Sequence, residues 1–86
     1  MPLILSLKLG DEFTVDGKRL VVKQITKDRH FILYHEESDT HFECVMDRMS
    51  EVESNVFISS GDRANQNTAR VVIDAPRDIK IERSRS

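Results

Sequence analysis

The sequence of 86 residues predicts a mainly β fold. Short runs of β-branched and other apolar residues recur along the chain, and turn-forming residues such as Gly, Pro and Asp separate them. One short stretch, residues 46–53, has a spacing of apolar residues typical of a helix. A chain of this length forms a single domain, residues 1–86. The hydrophobic core of so small a domain stabilises the fold only marginally.

The N-terminal part predicts a strand followed by a hairpin. Residues 3–8 form a continuous apolar run that ends before Gly10. Residues 13–15 and 20–25 are two further runs, and Asp16-Gly17 lies between them. An Asp-Gly pair favours a type I′ turn, because this turn needs positive φ at both central positions. We therefore expect a tight β-hairpin.

A second hairpin is predicted from residues 31–35 and 40–45, which flank a polar turn. A four-residue turn would place three pairs of residues opposite each other: His35 with Thr40, Leu33 with Phe42, and Phe31 with Cys44. These side chains would form one apolar face.

The segment after this hairpin is less regular. Residues 46–53 predict a short helix with Met46, Met49 and Val52 turned inward. Residues 56–58 predict another short strand, and residues 59–67 are typical of a loop.

The last two predicted strands are residues 71–73 and 79–81, which flank a turn at Pro76. Neither the first nor the last strand has a helix that would cover it, and apolar strand edges favour pairing with another chain. Pairing the first strand of one protomer with the last strand of another would cover both edges. The sequence therefore predicts an interlocked, strand-exchanged homodimer.

Two blocks of the sequence resemble one known family. Residues 3–11, LILSLKLGD, resemble the opening L-I-L-T-R-[RK]-x-G-E of the carbon storage regulator (CsrA/RsmA) family. Residues 69–83, ARVVIDAPRDIKIER, resemble that family's V-R-I-G-[VI]-x-A-P-x-x-[VI]-x-[VI]-x-R. The resemblance covers residues 3–25 and 67–83, and it implies a CsrA-like frame of five strands.

The resemblance also implies a function. The family forms homodimers of interlocked strands that bind GGA-containing RNA hairpins, often over a ribosome-binding site, along the paired first and last strands. This implies a cytoplasmic RNA-binding translational regulator from a bacterium or phage. Carried over to this chain, the RNA-binding residues would be Leu5, Ser6, Leu7, Lys8, Ala75, Pro76, Arg77, Ile79, Ile81 and Arg83. Arginine suits this role because its guanidinium donates a pair of hydrogen bonds to phosphate or to a guanine edge.

The chain departs from the family in two places. Leu7 stands where the family has the first arginine of its basic pair, which would remove one basic contact from each site. Residues 26–66 replace a short connection and would form an insertion that carries the second hairpin and the short helix.

Charge is distributed unevenly along the chain. Residues 36–62 carry eight acids against Arg48 alone, a net charge of −7, so that the remainder carries +5 within a total of −2. A solvated acidic surface would explain this segment. The alternative is a protein-binding module, or an antagonist of a CsrA-type regulator, that acts through these acidic residues and has lost RNA recognition.

Other classes of function find little support. The single cysteine excludes an intrachain disulfide, and no apolar stretch is long enough to span a membrane. His35, His41 and Cys44 would not converge in the predicted hairpin, which predicts no metal site. No phosphate-binding glycine loop or catalytic-triad spacing is evident, so we expect neither enzyme activity nor a cofactor.

Overall fold

The structure, a computed structural model, describes residues 3–26, 30–61 and 67–84. These residues form β-strands connected by turns, which confirms the mainly β prediction. The strands are β1 (Leu3–Lys8), β2 (Glu12–Val15), β3 (Lys18–Ile25), β4 (Phe31–His35), β5 (Thr40–Cys44), β6 (Ser50–Glu53), β7 (Val56–Ser60), β8 (Thr68–Asp74) and β9 (Ile81–Ser84). Within the described ranges there is no helix that could cross a membrane.

The strands form two antiparallel sheets that enclose one core. One sheet has the order β1-β8-β7-β6 and the other the order β5-β4-β3-β2-β9. Successive side chains of a strand point to opposite faces, and the inward set here is mainly apolar, with His35 and Ser60 as its buried polar members. The buried apolar residues are Leu7, Phe13, Val15, Leu20, Val22, Phe31, Leu33, Cys44, Val52, Val56, Ile58, Ala69, Val71 and Ile73.

Both predicted hairpins are confirmed. In the first, Val15 pairs with Lys18, and the two residues between them, Asp16 and Gly17, have φ of 52° and 80°. Positive φ at both positions is what the type I′ turn requires. In the second, the pairs match the predicted register: Phe31 with Cys44, Leu33 with Phe42, and His35 with Thr40.

The predicted helix at 46–53 is wrong. Residues 46–49 form a bend and an extended connection, and β6 then pairs with β7. Val52 is buried as expected, whereas Met46 and Met49 are 38% and 43% exposed. A helix of eight residues has few backbone hydrogen bonds to offset the entropy cost of helix nucleation. In the sheet, the same residues can hydrogen-bond to the edge of β7. The predicted strand at 56–58 is confirmed as part of β7.

The described residues between 30 and 61, which belong to the predicted insertion, contribute strands to both sheets and side chains to the common core. The hairpin β4–β5 extends one sheet beyond β3, and the hairpin β6–β7 extends the other beyond β8. Phe31, Leu33 and Ile58 from these hairpins have no more than 1% of their surface exposed. Of the predicted loop at 59–67, the first two residues belong to β7, and residues 62–66 lie outside the described part of the chain.

Both terminal strands pair within the chain. β1 pairs with β8 along its whole length, from Leu3 opposite Ile73 to Lys8 opposite Thr68. β9 pairs with β2, and Ile81 lies opposite Val15. The first and last strands therefore need no second protomer to find a hydrogen-bonded partner, and the interlocked homodimer stays a prediction.

Candidate nucleic-acid interface

The first and last strands meet at the edges of the two sheets. β1 is the edge of one sheet and β9 the edge of the other. Arg83 lies opposite Phe13, so its side chain starts on the inner face of β9 and crosses towards β1. Its Nη2 donates a hydrogen bond of 3.1 Å to the carbonyl oxygen of Ser6. We call this junction, residues 3–8 and 75–83, the β1/β9 seam.

Part of the β1 backbone is open along the seam. At Lys8 the amide donates to Asp11 Oδ2 at 3.0 Å, and the carbonyl accepts from the Asp11 amide at 2.9 Å. Since the hydrogen-bonding groups of a strand alternate between its two edges, Ile4 and Ser6 face the same way as Lys8. The amide and carbonyl of Ile4 and the amide of Ser6 therefore face the seam, where a ligand can reach them.

A groove with a mixed polar and apolar lining lies beside this open edge. It has a volume of about 290 Å³ and is lined by Leu3, Ile73, Ala75, Pro76, Arg77, Ile79 and Ile81. Its far wall is the turn after β8, which closes through a hydrogen bond of 3.1 Å from the Ile79 amide to the Pro76 carbonyl. β9 begins only at Ile81, so Ile79 belongs to this turn and not to the last strand as predicted.

Basic side chains surround the groove and the open edge. The exposed ones are Lys8, Arg70, Arg77, Lys80 and Arg83. Lys80 has an acidic neighbour, with its Nζ 3.8 Å from Glu82 Oε1. Within the described part of the chain the other four form no ion pair. Their charges are available to a polyanion.

Most of the predicted binding residues do come together here, but with different exposure. Ser6, Lys8, Pro76, Arg77 and Arg83 are exposed, and Leu5, Ala75, Ile79 and Ile81 are half-buried. Leu7 lies in the core, because it is opposite Ala69 on the inner face of its sheet and has no exposed surface. Its side chain cannot contact RNA.

Two residues at or beside the seam, Leu3 and Arg70, were not predicted from the sequence. Leu3 lines the groove and is 42% exposed. Arg70 lies directly opposite Ser6, on the outer face of the sheet. The sequence Ala69-Arg70-Val71 indicates that Arg70 is exposed, because a basic residue between two inward apolar residues of a strand must point outward.

The acidic segment lies at the other end of the two sheets. β5 and β6 are the edges opposite to β9 and β1, and Ser50 Oγ donates a hydrogen bond of 3.2 Å to the Glu43 carbonyl between them. The exposed acids around this junction are Glu36, Glu37, Asp39, Glu43, Asp47 and Glu51. The β1/β9 seam carries a net charge of +2, from Lys8, Arg77, Lys80 and Arg83 against the exposed acids Asp78 and Glu82, whereas the opposite pair of edges is acidic.

The groups that resembled metal ligands are spread over different environments. His41 is exposed and lies against Tyr34, with ring centroids 4.8 Å apart. Cys44 is buried, and desolvation of the thiolate raises the pKa of Cys44 to about 12. Among the described residues no group of three His, Cys, Asp or Glu side chains is arranged to hold a metal ion.

Comparisons with models of protein families, with curated proteins and with solved structures find no match to this chain. The function of the β1/β9 seam is therefore inferred from its own geometry and chemistry.

Proposed function

We propose that the protein binds single-stranded segments of RNA at the β1/β9 seam and regulates translation in the cytoplasm by doing so. One observation carries this proposal: a single chain brings an open backbone edge, a groove and four cations that form no ion pair with other described residues to one surface. Proteins read unpaired RNA bases through this combination of hydrogen bonds to base edges, apolar contact and phosphate neutralisation.

Each part of the seam has a distinct task in this proposal. The open amide and carbonyl of Ile4 hydrogen-bond to the edge of an unstacked base. The groove beside Ile79 and Ile81 accepts the apolar face of a base. Arg83 uses one N–H in its bond to Ser6, and its remaining donors point away from that carbonyl and can bind phosphate.

GGA-containing hairpins are the RNA ligands that the resemblance of residues 3–11 and 69–83 supports. A hairpin loop presents its bases unpaired, as the seam requires, and a protein bound over a ribosome-binding site excludes the ribosome. One chain carries one complete seam, so a single protomer is sufficient for one RNA site. A homodimer would carry two.

The first test is a gel shift with a GGA hairpin and a scrambled hairpin of equal length, at a stated salt concentration. We expect the wild type to prefer the GGA hairpin. Arg83→Ala should weaken binding by roughly 1–3 kcal/mol, the scale of a bidentate contact. Arg83→Lys keeps the charge but loses the planar fork, and it should recover only part of the affinity.

Arg48→Ala is the matched control, because Arg48 is an exposed arginine in the acidic segment, away from the seam. It should leave RNA affinity unchanged. A phosphate contact also predicts that Arg77→Ala reduces the salt dependence of binding by about one counterion. If the folded wild type binds GGA and scrambled hairpins equally weakly, RNA recognition by the seam is wrong.

The exposed acidic side chains around β5 and β6 favour a second candidate function, binding of a basic protein surface such as that of a CsrA-type regulator. Replacing Glu43 and Asp47 by Gln and Asn should weaken such an interaction and leave RNA binding intact. A protein that binds a CsrA-type regulator in a pull-down, but binds no RNA hairpin, would favour this function over the first.

A further inference from the structure

Three side chains near the second hairpin form a hydrogen-bonded chain from the surface into the core. Ser38 Oγ lies 3.0 Å from His35 Nδ1, and His35 Nε2 lies 2.8 Å from Glu53 Oε2. Ser38 is exposed in the turn between β4 and β5, whereas His35 is only 3% exposed. Glu53 belongs to β6, so this chain of side chains also joins the two sheets.

The hydrogen bonds show which ring nitrogen of His35 accepts and which donates. The Ser38 backbone N–H also lies against Nδ1, at 3.3 Å, and an N–H can only donate. Nδ1 is therefore an acceptor. The hydrogen bond from His35 and the bond from Lys18 Nζ at 3.1 Å lower the pKa of Glu53, so its carboxylate is ionised and accepts from Nε2–H. With Nδ1 as the acceptor, the hydrogen bond to Glu53 is donated by Nε2–H.

This arrangement matches the parts of an activated nucleophile: a hydroxyl, a base within hydrogen-bond distance, and a carboxylate that orients the base. We propose that Ser38 is an activated nucleophile that accepts the acyl group of small activated esters. The proposal does not depend on RNA binding.

The chain itself supplies the nucleophile and the proton acceptor of the acylation step. Ser38 Oγ attacks the carbonyl carbon of the ester, and its proton moves to His35 Nδ1. The imidazolium that forms is stabilised by the Glu53 carboxylate. The ester C–O bond breaks, the alkoxide or phenolate leaves with the electron pair, and Ser38 carries the acyl group as an ester.

The proton transfer to His35 Nδ1 also frees a hydrogen-bond donor for the oxyanion. Once Nδ1 is protonated it can no longer accept from the Ser38 backbone N–H. That N–H is then available to the negatively charged oxygen of the tetrahedral intermediate, beside the attacking Oγ. Backbone N–H groups of the nucleophile's own residue serve this purpose in acyl-transfer enzymes.

The test uses p-nitrophenyl acetate on the full-length wild-type protein, with acetylated residues located by peptide mass spectrometry. Ser54 is the internal control, because it is an exposed serine in the turn between β6 and β7. We expect acetylation of Ser38 on the order of 100-fold faster than that of Ser54, the scale of general-base catalysis. Ser38→Ala should remove the fast release of p-nitrophenolate.

Glu53→Gln tests the positioning role of the carboxylate. With folding confirmed by circular dichroism, it should slow acetylation of Ser38 by about 10-fold or more. The pH–rate profile of acetylation should also change, because the imidazolium formed on His35 during the reaction loses the adjacent negative charge. Acetylation of Ser38 in the wild type at a rate no higher than that of Ser54 would overturn the proposal, whether or not any variant folds.

Discussion

At the scale of single residues, the position of Leu7 is the clearest lesson. Comparison with the family pattern suggested that Leu7 replaces a basic RNA contact, and that Leu7→Arg would restore it. Its side chain is fully buried, so an arginine there would place a charge among Phe13, Val71 and other apolar groups of the core.

Leu7→Arg should therefore destabilise the fold by roughly 3–5 kcal/mol, the cost of an uncompensated buried charge. Urea denaturation followed by circular dichroism measures this. Ser6→Arg is the matched control, since Ser6 is the exposed neighbour on the same strand, and it should change the free energy of unfolding little. A Leu7→Arg protein with wild-type stability would contradict the packing described for β1.

Cys44 gives a second prediction at this scale. Its pKa is raised to about 12 from an ordinary value of 9.0, because burial disfavours the thiolate. This contribution to stability is fully present below about pH 9 and is lost as the pH rises towards 12. The wild type should therefore lose stability above pH 9 more steeply than Cys44→Ala does. Identical pH dependence of the two proteins in urea denaturation would show that Cys44 is not buried.

At the scale of elements, the sequence was most informative where local chemistry decides the structure. Asp16-Gly17 requires one turn type, and the alternation of residues 31–35 and 40–44 allows only one register if a single face is buried. The structure of residues 46–53 is decided instead by pairing with the next strand, because β6 forms a hairpin with β7. β7 lies outside the eight residues from which the helix was predicted. The same holds for the candidate site. The family motif predicted Arg77 and Arg83 as site residues, whereas the burial of Leu7 and the presence of the groove could not be predicted.

The connection between β6 and the other sheet gives the third prediction. Hydrogen bonds from His35 and Lys18 lower the pKa of Glu53, so they stabilise the fold above the unfolded pKa of about 4.5 and this contribution is lost as the pH falls through the folded value. Glu53→Gln should cost about 1–3 kcal/mol near neutral pH, the scale of hydrogen bonds to a charged group. The difference from wild type should vanish in acid, where Glu53 is protonated.

Glu51→Gln is the control for this prediction. Glu51 is an exposed acid on the same strand and accepts a hydrogen bond of 3.2 Å from the Asn55 amide, but among the described residues it forms no ion pair with the other sheet. Thermal unfolding from pH 3 to pH 7 should show a far smaller effect. If the two variants behave alike, the contacts between β6 and the other sheet do not stabilise the fold.

At the scale of the whole molecule, residues 27–66 decide whether the chain folds. They supply two hairpins and a large part of the core, including Phe31, Leu33, Val56 and Ile58. Replacing them by a short Gly-containing turn would also expose the edges of β3 and β8. We expect the shortened chain to be unfolded or aggregated, measured by circular dichroism and by the dispersion of amide signals in NMR spectra. Dispersed signals from the shortened chain would show that the five-strand frame is independent after all.

The pairing of the terminal strands determines what should happen on dilution. In an interlocked dimer, the strands β1 and β9 lose their partners when the protomers separate, so the melting temperature rises with protein concentration. Here β1 pairs with β8 and β9 with β2 in the same chain, and Arg83 joins the two edges. We therefore expect a melting temperature that is the same across a 100-fold range of concentration, about 1 to 100 μM. A melting temperature that rises steadily with concentration, together with a dimer mass by light scattering, would contradict a self-sufficient protomer and favour strand exchange. The pairs of β1 and β9 described within one chain would then lie between two protomers, and the seam would be completed by a second copy.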